Sequence, residues 1–106
     1  MKKALAIVAA GAVSAAVAVP AFAATKTISV KDNLFSPKTT TVRKGTKVKW
    51  VWRGNAPHNV VVTKGPAKFR STVKTSGSFT KKVTRRGTYT IVCTIHNGMT
   101  MKLRVK

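Results

Sequence analysis

The segment after residue 23 predicts an all-β sandwich or barrel, and three observations carry that prediction. Apolar residues recur at every second position in short runs, the period of a strand with one buried face. Clusters of Gly, Asn, Asp and Pro separate those runs at the close intervals of a small sandwich. No stretch of the segment sustains a helical period.

Taken in order, the chain opens with Met1-Lys2-Lys3, an apolar run from Ala4 to Val19, a break at Pro20 and the small-x-small sequence Ala21-Phe22-Ala23. That is the layout of a signal peptide over residues 1–23, cleaved after Ala23. The run is rich in Ala rather than Leu and barely long enough to cross a bilayer, which disfavours a retained anchor. No cysteine lies near the cleavage site and no Arg-Arg pair precedes the apolar run, so the expected route is general export of the unfolded chain. The expected location is extracytoplasmic: periplasmic, secreted or in the cell envelope. Residues 24–106 then form one domain.

Ile28 and Val30 mark the first strand, closed by the turn Lys31-Asp32-Asn33. After Lys44-Gly45, the alternation of Val48, Trp50 and Trp52 marks another, which ends at Arg53-Gly54-Asn55. Val60-Val61-Val62-Thr63 is a short β-branched run stopped by Lys64-Gly65-Pro66. Lys74-Thr75-Ser76-Gly77-Ser78 reads as a loop of undefined position. Phe79 and Val83 precede the turn Arg86-Gly87, and Tyr89, Ile91 and Cys93, then Met101, Leu103 and Val105, complete the pattern. A domain of this size buries only roughly 60% of its unfolded surface, and a lone cysteine excludes an internal disulfide. A bound metal would help, because a site absent from the unfolded chain turns binding energy into folding energy.

Cys93, His96 and Met99 stand in the spacing C-x2-H-x2-M, and the chain has one further histidine, His58. Each alone is a weak signal. A buried free cysteine is more often a small hydrophobe, a turn histidine is more often plain surface, and a methionine at a strand is more often core. Met101 competes directly with Met99. Together they offer a thiolate, two imidazoles and a thioether, a donor set that suits copper better than magnesium, calcium or manganese. Two histidines and a cysteine in a trigonal plane, with a long axial methionine, make a blue-copper electron-transfer site. Coordination would also keep the Cys93 thiolate deprotonated and protected outside the cytoplasm.

These stretches resemble the cupredoxins, the small blue copper proteins, and most closely the plastocyanin and amicyanin branch. Leu34-Phe35-Ser36-Pro37 is similar to the family's F-x-P, and Val48-Lys49-Trp50 to the strand leading to the first ligand. Pro57-His58-Asn59-Val60 matches P-H-N-V, and Gly87-Thr88-Tyr89 through Cys93 matches G-x-Y-x-x-x-C. The short ligand loop is of amicyanin length; plastocyanins have two more residues before the methionine. Ile95 departs from the pattern, since the family often has proline there, and the surface is far more basic than in most relatives.

The resemblance implies a Greek-key β-sandwich of seven to eight strands and one type 1 copper per chain, held by His58, Cys93, His96 and Met99. It implies that Asn59 ties the two ligand segments together and hydrogen-bonds near the sulfur. It also makes the His96 ring edge the electron's exit, ringed by Pro57, Ile95, Asn97 and Gly98. Met99 is the expected axial ligand, because it closes the loop two residues after His96 and Met99-x-x-Lys102 is similar to the family's methionine followed by x-G-K.

Charge bears on partners. The chain carries 21 Lys and Arg against one acid, Asp32, for a formal charge of +20, which loss of Lys2 and Lys3 with the leader lowers to +18. Residues 54–63 and 87–101, which hold every expected ligand, contain no charged side chain. An uncharged copper-end patch on a basic body is expected, one that attracts acidic redox partners or an anionic cell-envelope surface and stays monomeric by self-repulsion. Nucleic acid is not an expected partner of an exported chain. Four protein donors leave no open position for substrate, so electron transfer rather than catalysis is expected. Two other classes remain. A copper carrier or buffer would release its metal rapidly to a chelator, and a polyanion-binding module would bind without regard to copper and steeply with salt.

Overall fold

A computed structural model describes residues 24–106, so the expected leader lies outside the described residues. Eight strands are present: β1 Thr25–Lys31, β2 Leu34–Ser36, β3 Thr39–Val42, β4 Lys47–Trp52, β5 Val61–Lys64, β6 Ser78–Lys82, β7 Gly87–Val92 and β8 Thr100–Val105. They form two four-stranded sheets, ordered β2-β1-β4-β6 and β3-β8-β7-β5. β1 runs parallel to β4 and β3 parallel to β8, while the other pairs are antiparallel. From β2 to β7 the chain changes sheet at every connection, which gives the expected Greek-key sandwich. No helix occurs among the described residues.

Alternation explains how so basic a chain keeps an apolar core. In β4, Val48, Trp50 and Trp52 turn inward while Lys47 and Lys49 stay in solvent. In β8, Met101, Leu103 and Val105 are buried and Lys102 and Arg104 exposed. Both faces of the sandwich therefore shed their cations outward, and Ile28, Val30, Phe35, Trp50, Tyr89, Ile91 and Leu103 fill the space between the sheets. Lys81 and Lys82 line β6, an edge strand, where charge discourages pairing with another chain.

Several elements differ from the alternating pattern. β2 and β3 are strands with few apolar residues: Phe35 is the only buried residue of β2, and Thr40 and Val42 those of β3. β3 is held by parallel pairing to β8, from Thr39↔Lys102 to Val42↔Val105. Val83 is buried just past the end of β6, where its N–H donates to the Thr46 carbonyl at 3.0 Å. Val60 precedes β5 and Cys93 follows β7.

Three connections meet at one end of the sandwich through side-chain contacts. They are the β1–β2 turn with Asp32, the segment after β4 with Gly54 to Asn59, and the β7–β8 loop with Cys93 to Met99.

Candidate metal centre

His58 is fixed by its backbone before its ring comes into play. Its N–H donates to the Lys74 carbonyl at 2.9 Å, and its carbonyl accepts the Lys74 N–H at 2.9 Å and the Trp52 Nε1–H at 3.1 Å. The loop at residues 74–78, unplaced by the sequence, thus begins alongside the first candidate ligand. The His58 ring is fully buried, with Nε2 3.1 Å from Asp32 Oδ1 and Nδ1 on the side of Cys93 and His96. An imidazole that donates from Nε2 keeps its lone pair at Nδ1, the form a metal needs.

Cys93 continues the inward parity of Tyr89 and Ile91 and is buried. The loop after it closes on itself: the Cys93 N–H donates to the Met99 carbonyl at 3.0 Å, and the Met99 N–H to the His96 carbonyl at 3.3 Å. Gly98 makes that reversal possible with a φ of 79°, a left-handed conformation a side chain resists. Asn59 ties this loop to the His58 segment, as the resemblance implied. Its Oδ1 accepts the Thr94 N–H at 2.9 Å and its Nδ2 donates to Thr94 Oγ1 at 3.0 Å.

The three donor atoms converge. His58 Nδ1 lies 3.1 Å from His96 Nδ1, and Cys93 Sγ lies 3.4 Å from His96 Nδ1 and 3.9 Å from His58 Nδ1. A point in the plane of that triangle sits about 2 Å from all three atoms, the length of a metal–imidazole bond and slightly short of a metal–thiolate bond. Two borderline nitrogens and one soft sulfur at this spacing fit copper.

Both candidate thioethers are buried. Met101 Sδ accepts the Trp50 Nε1–H at 3.4 Å, which commits it to the interior of the sandwich. Met99 is the thioether carried by the ligand loop itself.

Sequence reasoning treated Asp32 as a turn residue and missed its place here. Its carboxylate accepts the Asn55 N–H at 3.1 and 3.0 Å and the Ala56 N–H at 2.9 Å, besides facing His58 Nε2. Those contacts, with Asn55 first, then Ala56 and His58, hold its pKa down at about 2. The one available signal was its rarity, a single acid in the turn after the first strand. The surface expected to be uncharged therefore includes an ionised carboxylate, 42% exposed, and Lys74 borders it through its pairing with His58. The exposed large hydrophobics among the described residues are Leu34, Val73 and Ile95, each within two residues of Asp32, Lys74 or His96.

The plastocyanin/azurin family of copper binding proteins is matched over residues 23–106. Among solved structures, the chain is similar to amicyanin in the reduced state of a proline-to-phenylalanine variant, with 26% identity and a TM-score of 0.69 over 77% of this chain and 82% of that one. It shares its fold with a purple cupredoxin from Nitrosopumilus maritimus, at 21% identity and a TM-score of 0.69 over 76% of this chain and 99% of that one. A copper-containing nitrite reductase from Thermus scotoductus SA-01 matches at 25% identity and a TM-score of 0.69 over 77% of this chain, but this covers only 22% of the reductase. With the family match running through every strand and both ligand segments, the chain belongs to the plastocyanin/azurin family of copper-binding proteins, and its donor triangle fits a single type 1 copper.

Proposed function

We propose that this protein is an exported electron carrier that passes single electrons between redox partners, with His58, Cys93 and His96 as equatorial copper ligands and Met99 as the axial one. The burial pattern of this donor set carries the reading. His58, Cys93 and Met99 are sealed from solvent, and His96 alone is half-buried. Bound at such a set, copper supplies a one-electron couple between Cu(II) and Cu(I).

The chain's own residues do the rest. The Asn59–Thr94 tie joins the two ligand segments and the His58–Lys74 pairing fixes the His58 backbone, which limits rearrangement between oxidation states. Four protein donors leave no place for a substrate, so the protein is not an enzyme. The His96 ring edge is the shortest way from the donors to the surface, and Leu34, Val73 and Ile95 provide apolar ground where a partner can exclude water. Electron-transfer interfaces lie at the small end of the size range, which suits a patch of this kind. The basic body steers an acidic partner or an anionic envelope toward the protein and keeps it monomeric. Residues 1–23, read as a cleaved leader, place the domain of residues 24–106 outside the cytoplasm.

The decisive experiment adds Cu(II) to the purified protein and records its visible spectrum. An intense blue band from thiolate-to-copper charge transfer is expected; a colourless adduct overturns the reading. A reversible one-electron potential separates a carrier of electrons from a copper buffer, which would instead lose its metal quickly to a chelator.

The two methionines make a paired prediction. Met99→Leu should retain copper and colour but raise the reduction potential, since losing a weak axial donor disfavours Cu(II). Met101→Leu roughly conserves volume, loses the bond from Trp50, and should cost under about 1.5 kcal/mol with little change in potential. The reverse pattern in voltammetry would make Met101 the axial ligand.

Salt should act on association rather than on transfer. Screening over about 8 Å at physiological ionic strength should slow encounter with an acidic partner as salt rises. Ile95→Lys, at the exposed edge of the ligand loop, should instead slow transfer within the complex. Stopped-flow rates that ignore salt would show that the cationic surface does not steer binding.

A further inference from the structure

Among the described residues, the one acidic side chain makes no ion pair with lysine or arginine. Asp32 lies instead against a fully buried histidine ring. The β1–β2 turn presents it, with Asn33 beside it in a left-handed conformation at φ 70°. Among the described residues, the hydrogen bonds it accepts all come from a single short segment on the far side of β4: Asn55 N–H, Ala56 N–H and His58 Nε2. Gly54 completes the arrangement. No left-handed φ requires glycine there, but a Cβ at this position would collide with Asp32, at Oδ1 and at its backbone N. Residues 54–58 are therefore wrapped around this carboxylate, and space has been left for it.

Two consequences follow for the ring. An acceptor at Nε2 fixes the tautomer, placing the proton on Nε2 and the lone pair on Nδ1, where Cys93 and His96 converge. An anionic acceptor also makes the imidazole a stronger donor, and stronger donation favours the more highly charged oxidation state of a metal.

We propose that Asp32 is a positioning residue that sets the tautomer of His58 and, through its charge, lowers the reduction potential of the copper site. This rests on His58 being a ligand. It differs from a purely structural role, in which Asp32 would only cap the turn at Asn55 and Ala56. An asparagine would keep most of that cap, because its side-chain oxygen can still accept the Asn55 and Ala56 N–H groups and only the second Asn55 contact is lost.

The test has a metal-free and a metal-loaded arm. In the purified metal-free protein, long-range proton–nitrogen NMR should find the His58 proton on Nε2, and Asp32→Ala should give a tautomer mixture; a proton on Nδ1 in the unsubstituted protein overturns the proposal. In the copper-loaded protein, Asp32→Asn should keep the blue band but weaken Cu(II) binding about 10–100-fold, the usual cost of losing an outer-shell partner. A tenfold loss confined to Cu(II) appears as a rise in potential of about 59 mV. Gly54→Ala keeps the charge but pushes the Asp32 turn, carboxylate and backbone together, away from Nε2, and should raise the potential in the same direction. Unchanged potentials in both variants, with their blue spectra intact, would reduce Asp32 to a turn cap and overturn the proposal. A colourless unsubstituted protein would instead refute the ligand assignment, and the metal-free NMR arm would still decide whether Asp32 sets the ring. Should Asp32→Asn fail to fold, Gly54→Ala and the NMR arm carry the decision.

Discussion

Cys93→Ser is expected to remove the blue band completely while leaving the sandwich folded. The band needs a thiolate bonded to copper, and a serine oxygen is a harder donor with no comparable low-energy charge transfer. The substitution is close to isosteric, and the loop closure at this position uses the backbone N–H of residue 93, which serine retains. Loss of colour with an unchanged far-ultraviolet spectrum would therefore report ligand chemistry and not unfolding. His58→Ala should also collapse the band, by a different route. It removes a fully buried ring that fills space between the ligand loop and Asp32, so copper affinity and stability should fall together. A Cys93→Ser adduct that stays blue would remove Cys93 from the ligand set.

Copper should raise the melting temperature by about 10–20 °C at a free concentration one hundred times its dissociation constant. The donors belong to segments far apart in the chain, His58 and Cys93 being 35 residues distant, so the unfolded chain presents no comparable site. Ligand binding to the native state alone contributes about 2.7 kcal/mol at that excess, and each kcal/mol shifts the melting point of a domain this small by about 4–8 °C. The protein's own bonds already join the two ligand segments, through Asn59 to Thr94, and fix the His58 backbone against Lys74. The metal-free form should consequently remain folded with a lower melting point, rather than lose its fold on chelation. Calorimetry with and without copper tests this, and at the same free copper the increment should be smaller in Cys93→Ser, which loses the thiolate but keeps both imidazoles. Coincident transitions for the unsubstituted protein would mean that no ion joins the two segments.

Much of this protein is legible in local patterns. The alternation of Val48, Trp50 and Trp52, and of Met101, Leu103 and Val105, identifies strands because successive side chains must face opposite sides of a pleated sheet. The spacing of Cys93, His96 and Met99 brings three donors into one loop, because a short turn through Gly98 can reverse the chain between them. The rest was decided between segments. β3 has too few apolar residues to announce itself and exists by pairing with β8, contributed by the far end of the chain. Met99 and Met101 share strand parity; loop length favours Met99 in the sequence, and the fold adds Trp50, 51 residues before Met101, whose indole N–H donates to the Met101 sulfur. Asp32 reads as an ordinary turn acid until the fold sets it against His58, 26 residues later. Periodicity records which face a side chain occupies, and spacing records what one loop can gather. Neither contains what a distant part of the chain brings to that face, and here the β1–β2 turn sets the Asp32 carboxylate against the His58 ring.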